Sequence, residues 1–310
     1  MLRVTSPRKM TPSSFRIWAR AIRVRLLSAS IVSVTSGLVI AWATLGIFNV
    51  GYALLTYVGV ICAHASIDLL NDYFDYRSRI DLITVRTPLS GGTGVLPEGL
   101  LKPQSVYRAG VILLICATCI GLILTFLRGL VVAAFLVFGI LSIYFYSTKI
   151  ANFGFGEVLL VFKGMLIVVG SYFVQTSTFG PAPVLVGVIM GLLSSSALYV
   201  NQFPDFEADR RCGRLNLVVR LGLRKASRAY VVYPVLIFSL IVAGVGMGVI
   251  PVFGLSAILA LPFFYRVSKI LTSKAFDASK AFPVMAQNVL GARFVGVVIT
   301  LAYLVSAIFR

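Results

Sequence analysis

The stretch at residues 67–81 reads IDLLNDYFDYRSRID and closes a membrane-length apolar run. A second stretch, at residues 201–217, reads NQFPDFEADRRCGRLNL and closes another. Together the two stretches contain seven of the ten acidic residues in the chain, namely Asp68, Asp72, Asp75, Asp81, Asp205, Glu207 and Asp209. Carboxylates are costly near a bilayer, so acidic residues kept at the ends of membrane helices indicate a functional site.

The composition is that of a membrane protein. Of 310 residues, 59% are hydrophobic and only 12% are charged, and the mean hydropathy is +0.97. A soluble domain would carry about 25% charged residues. The net charge of +18 does not indicate nucleic-acid binding, because the basic residues are spread over the loops of one membrane face. We therefore expect a lipid bilayer as the environment, no nucleic-acid partner and no obligate protein partner.

Because about 20 apolar residues span a bilayer, hydropathy predicts nine transmembrane helices. They lie near 27–48, 52–74, 106–127, 129–148, 157–178, 183–203, 229–250, 251–268 and 288–309. The predicted fold is all-α and polytopic. The acidic stretches end the second and sixth helices, which suggests two parallel four-helix repeats followed by one further helix.

Basic residues set the predicted orientation. With nine helices, all lysines and arginines except Arg128, Lys163 and Arg310 fall on one face. The positive-inside rule places that face, the N-terminus and both acidic stretches in the cytoplasm, with the C-terminus outside. We predict one domain over 1–310, with a basic amphipathic segment at 1–25 and cytoplasmic cap loops at 77–104 and 204–227.

The spacing of the carboxylates suggests a divalent-metal site. Asp68, Asp72 and Asp75 are spaced i, i+4, i+7, and Asp205 and Asp209 are spaced i, i+4, so each set shares one helical face. Like charges packed so closely repel, and a cation relieves the repulsion. Mg²⁺ takes one or two carboxylates and completes its shell with water and phosphate oxygens. The alternative interpretation is a pair of solvated helix ends that balance nearby arginines.

Several other polar residues are candidates for substrate contacts. Arg86 opens the Gly- and Pro-rich loop RTPLSGGTGVLPEG, and Arg214 follows the second acidic stretch, so both guanidinium groups could bind phosphate. Lys163 lies inside the fifth predicted helix, where a cation is a functional candidate by default. His64, the only histidine, is interpreted as a packed side chain.

These residues resemble the UbiA superfamily of intramembrane prenyltransferases. Asn71-Asp72-Tyr73-Phe74-Asp75 with Asp81 is similar to its first signature, and Asp205-Phe206-Glu207-Ala208-Asp209 followed by Gly213-Arg214 is similar to its second. The resemblance covers essentially the whole chain and implies that the nine helices surround a central chamber. NDYFDY, SGGTGVLPEG, NQFPDFEAD and LVVRLG are most similar to the menaquinone branch, which prenylates 1,4-dihydroxy-2-naphthoate.

The resemblance implies Mg²⁺-dependent transfer of a polyprenyl group from an isoprenyl diphosphate to an aromatic acceptor. It implies metal binding by Asp72, Asp75, Asp205 and Asp209, which are also the catalytic candidates, with Asp68 in support. The expected substrate-binding residues are Asn71, Asp81, Arg86, Tyr146, Lys149, Lys163, Asn201 and Arg214. Of these, Lys163 is a candidate from its position alone, because the family is expected to have an apolar residue there. Two alternatives stay open: the same fold with 4-hydroxybenzoate or geranylgeranylglyceryl phosphate as acceptor, and a secondary transporter.

Overall fold

A computed structural model describes residues 13–84, 86–145, 154–273, 277 and 281–309. Within these ranges the protein is entirely helical and contains no strand. The helices before the second acidic stretch are α1 Ser14–Ala21, α2 Val24–Leu45, α3 Val50–Arg77, α4 Ile80–Ile83, α5 Pro103–Arg128, α6 Leu130–Phe145 and α7 Gly156–Thr176. The others are α8 Pro181–Arg211, α9 Leu217–Leu221, α10 Leu223–Ala229, α11 Val232–Gly246, the 3₁₀ helix Val252–Ala260, α12 Leu261–Leu271 and α13 Phe282–Ile308.

Eight helical segments of the described chain are long and apolar enough to cross a membrane. They correspond to all the predicted helices except the fourth. At that place the structure has the shorter apolar helix α6, of 16 residues, and residues 146–153 lie outside the described chain. The all-helical membrane fold is therefore confirmed, whereas the count of nine is not confirmed and the parallel repeat stays a prediction.

Local sequence accounts for several helix ends. Proline occupies the first turn of α5 and of α8, where its missing N–H costs no hydrogen bond. The side chain of Asn49 caps α3 by accepting a hydrogen bond of 3.0 Å from the backbone N–H of Tyr52. Pro204 lies inside α8, which continues to Arg211. The cap loop predicted to begin at 204 therefore begins as helix, and this extension carries Asp205 and Asp209 on a rigid element.

Glycines let α7 and α8 approach closely. A Cβ built on Gly164 would lie 2.4 Å from the Cα of Gly191, and one on Gly191 would lie 2.3 Å from the carbonyl oxygen of Val161. Small residues of this kind allow backbone-to-backbone packing between membrane helices. The α7–α8 pair also borders the largest buried core, whose aromatic members include Tyr199 and Phe203 on α8.

At one end of the bundle, the loop between α4 and α5 folds back over the helices. Its residues Val95 and Leu96 are buried against Ala21 of α1 and Leu69 of α3. The loop turns at glycines with positive φ, including Gly92. The predicted cap loop at 77–104 therefore contains a short helix and a packed hydrophobic segment, and it covers the ends of α3 and α8 that carry the acidic residues.

Candidate active site

Two aspartates of the first acidic stretch, Asp72 and Asp75, are buried and accept hydrogen bonds from neighbouring side chains. Asp72 accepts a hydrogen bond of 2.6 Å from Nη2 of Arg23 and another from the hydroxyl of Thr93. Asp75 accepts one of 2.9 Å from Nδ2 of Asn71. The helix end of α3 is thus fixed by groups from the residue before α2 and from the covering loop.

The second acidic stretch meets the first. Asp205 accepts a hydrogen bond of 2.5 Å from the hydroxyl of Thr84, directly after α4. Asp209 accepts one of 2.6 Å from Nδ2 of Asn216. Arg214 forms an ion pair with Asp75, and its Nη1 lies 3.7 Å from Oδ1 of Asp209. The two acidic stretches therefore meet, with one guanidinium between them.

A polar cavity of about 140 Å³ lies where the two stretches meet. Its charged and amide side chains are Arg23, Asn71, Asp75, Asp81, Glu157, Asn201, Gln202, Asp205, Asp209, Arg214 and Asn216. The predicted residues Asn71, Asp81, Asn201 and Arg214 line it, as do three of the four predicted catalytic aspartates. Asp72 is connected to it through Arg23. Carboxylates, amides and guanidinium groups in one cavity can bind both a cation and an anion.

Some predicted residues lie elsewhere. Asp68 does not line the polar cavity, and its Oδ2 lies 3.7 Å from Nε2 of His64. Arg86 forms an ion pair of 3.1 Å with Glu98 and donates to the Asp81 carbonyl at 3.4 Å. Lys163 lines a second cavity. Tyr146 and Lys149 lie outside the residues that the structure describes.

The second cavity is mostly apolar and has a volume of about 230 Å³. Its walls come from α3, α5, α6 and α7, with Ser30 of α2. Successive turns of α3 and α7 line the two cavities, since His64 and Leu160 face the apolar one and Asn71 and Glu157 the polar one. A polar headgroup and an apolar tail of one ligand could therefore occupy neighbouring spaces.

Asp81, on α4, has a strongly perturbed acidity. Burial is the largest cause, and the neighbouring carboxylates of Asp75 and Asp72 act in the same direction, so that the pKa of Asp81 is raised to about 8. Arg23 and Arg86 partly oppose the shift. Such shifts are frequent in sites that bind charged ligands.

The donor set fits Mg²⁺. Among the described residues, no three His, Cys, Asp or Glu side chains are grouped closely enough to hold a metal ion by themselves. Mg²⁺ needs only one or two protein carboxylates, with water and phosphate as its other ligands. The cavity offers oxygen donors of this kind, and Oδ1 of Asp209 is buried without a hydrogen-bond partner.

The sequence interpretation missed several contributors. The sequence pattern does not distinguish Arg23 from the other basic residues of the N-terminal segment, and it does not indicate Thr84 or Thr93. Glu157 is buried, accepts a hydrogen bond of 2.6 Å from Nε2 of Gln202, and has its Oε2 buried without a partner. A signal existed for Glu157, because it is the single acidic residue in the fifth predicted helix.

Fold and site together define an integral membrane protein with a carboxylate-rich cavity beside an apolar one. Residues 30–303 match the UbiA prenyltransferase family. The chain belongs to this family and is a prenyltransferase, which removes the support for a transporter.

Similar proteins include 1,4-dihydroxy-2-naphthoate octaprenyltransferase of Escherichia coli, which is 31% identical over 70% of this chain and 72% of its own length. UbiA prenyltransferase domain-containing protein 1 of mouse is 27% identical over 83% of this chain and 76% of its own. A UbiA homologue from Archaeoglobus fulgidus, solved bound to DMAPP and Mg²⁺, superposes with a TM-score of 0.58 at 14% identity, covering 91% of this chain and 98% of that one. That structural likeness supports the fold.

Proposed function

We propose that the protein transfers a polyprenyl group from an isoprenyl diphosphate to 1,4-dihydroxy-2-naphthoate in a Mg²⁺-dependent reaction of quinone biosynthesis. The observation that carries the proposal is the polar cavity between the two acidic stretches, next to an apolar cavity with which it shares α3 and α7. The diphosphate would occupy the polar cavity, and the prenyl chain would extend into the apolar one. A UbiA homologue from Archaeoglobus fulgidus, solved with DMAPP and Mg²⁺ and with GPP and Mg²⁺, supports an isoprenyl diphosphate and Mg²⁺ as the ligands.

The carboxylates of Asp72, Asp75, Asp205 and Asp209, supported by Asp68, would hold Mg²⁺ against the diphosphate. When bound, the ion supplies Lewis-acid stabilisation of the negative charge on the leaving group. Arg214 and Arg23 would donate hydrogen bonds to the oxygen atoms of the diphosphate. We propose Arg86 and Lys149 as further diphosphate contacts, and Asn71, Asp81, Asn201 and Tyr146 as polar groups that position the substrates.

The chemistry is the transfer of an allylic carbon. The bond from the first prenyl carbon to oxygen breaks, and its electron pair leaves with the diphosphate. The electron-rich aromatic ring then donates a pair to that carbon, and the ring loses a proton or, for the naphthoate, its carboxyl group as carbon dioxide. The covering loop, with Val95 and Leu96 buried, would keep water away from the reactive carbon.

The acceptor is inferred from relatives. Two bacterial proteins similar to this chain, from Escherichia coli and Haemophilus influenzae, carry the name 1,4-dihydroxy-2-naphthoate octaprenyltransferase. The alternatives 4-hydroxybenzoate and geranylgeranylglyceryl phosphate would use the same polar cavity. We also propose the orientation given by the basic residues, with the N-terminus and the polar cavity on the cytoplasmic side of the cell membrane and the C-terminus outside.

The test is product formation by the purified protein in detergent with geranylgeranyl diphosphate, 1,4-dihydroxy-2-naphthoate and Mg²⁺. We expect a prenylated naphthoquinol, lost on addition of EDTA. The double variant Asp72→Ala, Asp205→Ala should lower the rate by about 100-fold or more, since metal clamps contribute several kcal/mol. Glu207→Ala is the matched control, because Glu207 is an exposed carboxylate on the same helix as Asp205.

Two results would change the proposal. Diphosphate release with another acceptor but not with the naphthoate would keep the reaction and overturn the acceptor. Full activity of the double variant, or in EDTA, would overturn the assigned site.

A further inference from the structure

Lys163 is a cation in an apolar place. It lies two turns into α7, is half-buried, and lines the apolar cavity. Within the described ranges its amine has no hydrogen-bond or ion-pair partner. An ammonium group carries three donors and is costly at membrane depth unless an acceptor meets it. The arrangement therefore calls for a ligand that brings oxygen atoms to Nζ.

The polar neighbours of Lys163 do not accept a hydrogen bond from its amine. Asp68 is close enough for an electrostatic interaction but forms no hydrogen bond with Lys163. The other polar groups on the same wall satisfy each other, since Nδ1 of His64 and the hydroxyl of Ser30 are 2.7 Å apart. The ammonium group of Lys163 is thus available to an anionic ligand on this wall of the cavity.

The side chains that line the two cavities indicate which kind of anion would bind at Lys163. Diphosphate is better served in the polar cavity, where Arg23 and Arg214 offer guanidinium groups. Around Lys163 the walls are apolar side chains such as Val60, Ile67 and Ile167. One cation among apolar walls fits a ligand with an apolar body and a single acidic group. An aromatic carboxylate has this chemistry.

We infer that Lys163 binds the carboxylate of the aromatic acceptor and so determines specificity for acidic acceptors; this rests on the proposed function. The position suits the reaction. Asp68, which Lys163 neighbours, is one helical turn from Asp72, about 6 Å along the axis. A ring anchored at Lys163 would thus share the apolar cavity with the prenyl chain and lie near the boundary with the polar cavity, where the first prenyl carbon would be.

The first test is binding, which needs no turnover. Calorimetry on the purified wild-type protein compares 2-naphthoate with the uncharged 2-naphthol. We expect the acid to bind more tightly. In Lys163→Met its affinity should fall by about 30-fold or more, as when one partner of a buried charge pair is lost. Affinity for 2-naphthol should stay within about twofold, and Lys163→Arg should restore much of the affinity for the acid.

Equal affinity of the wild-type protein for the acid and the naphthol would overturn the inference, and that result does not depend on whether any variant folds. Equal losses for both ligands in Lys163→Met would overturn it too, because they would indicate a general change of cavity shape.

Turnover separates this inference from the proposed function. Lys163→Met should raise KM for 1,4-dihydroxy-2-naphthoate but not for 1,4-dihydroxynaphthalene or for the isoprenyl diphosphate. If the wild-type enzyme prenylates neither 1,4-dihydroxy-2-naphthoate nor 1,4-dihydroxynaphthalene, the proposed acceptor is wrong. The binding data still decide the role of Lys163. If KM rises for the diphosphate instead, or the accepted chain length changes, Lys163 contacts the prenyl donor and the inference is wrong.

Discussion

Arg214 forms an ion pair with Asp75 of α3 and places its Nη1 3.7 Å from Oδ1 of Asp209 of α8, so one guanidinium lies between the two acidic stretches. The two carboxylates are 134 residues apart in sequence, and helices α4 to α7 lie between α3 and α8 in the chain. Arg214 follows the turn at Gly213, which has a φ of +74°. The turn directs the chain back over the end of α8, where the guanidinium reaches both helices.

Arg214→Ala should weaken binding of the diphosphate. A hydrogen bond to a charged group contributes about 1.5–3 kcal/mol, so KM for the isoprenyl diphosphate should rise about tenfold or more. Arg214→Lys should recover part of the loss, because it keeps the charge without the planar fork. Arg211→Ala is the control, since Arg211 is exposed on the same segment. Steady-state kinetics with varied diphosphate measure the effect, and equal KM values for the two alanine variants would contradict it.

The covering loop depends on Arg20 of α1. Its Nε donates to the carbonyl oxygen of Thr93 at 2.6 Å, and its Nη2 pairs with Glu98 at 2.6 Å. Thr93 in turn donates its hydroxyl to Asp72. Arg20→Ala should therefore speed amide hydrogen exchange over residues 90–98. Because the ion pair is exposed, the free energy of unfolding should change by only about 1 kcal/mol or less.

Exchange measured by mass spectrometry on the detergent-solubilised protein checks this expectation. Arg16→Ala, an exposed arginine on the same helix, is the matched control. Unchanged exchange over residues 90–98 in Arg20→Ala would show that the loop is held by the burial of Val95 and Leu96 alone.

The acidic half of the site could be predicted because carboxylates stand out in an apolar chain and their spacing fixes a helical face. The cationic half could not. Arg23 and Asp72 are 49 residues apart, and nothing in the local pattern distinguishes Arg23 from the other arginines of the N-terminal segment. Positive-inside topology explains all of these arginines equally well.

The extent of α8 shows another limit of local patterns. The polar residues after Val200 and the proline at 204 indicate a helix end, yet the helix continues to Arg211. The continuation is stabilised by tertiary contacts: Gln202 bonds to Glu157, and Asp205 bonds to Thr84. A proline removes one backbone hydrogen bond, which such contacts can offset.

Close packing of α7 on α8 should be sensitive to one methyl group. In Gly191→Ala the new Cβ would lie 2.3 Å from the carbonyl oxygen of Val161, so the backbones must separate. We expect a loss of about 1–3 kcal/mol in stability, seen as a lower Tm in detergent. Gly246→Ala is the control, since its Cβ would meet no atom within 4 Å. Equal Tm values for the two variants would show that the helix pair can adjust.

Asp81 should make stability depend on pH. Its pKa is raised from 3.8 to about 8, chiefly by burial and then by the nearby Asp75 and Asp72 carboxylates. Between these two values the unfolded chain has lost the proton that the folded protein keeps, so the folded state binds more protons and its stability falls as pH rises. Asp81→Asn cannot titrate. The Tm of the wild-type protein should therefore fall relative to that of Asp81→Asn as pH rises from about 5 to 8, with little further divergence above the folded pKa.

Thermal unfolding in detergent with EDTA, which removes divalent cations, measures the two curves. Glu207→Gln controls for the loss of one negative charge at an exposed site. Parallel curves for the wild type and Asp81→Asn would mean that the Asp81 carboxyl ionises equally in the folded and unfolded states.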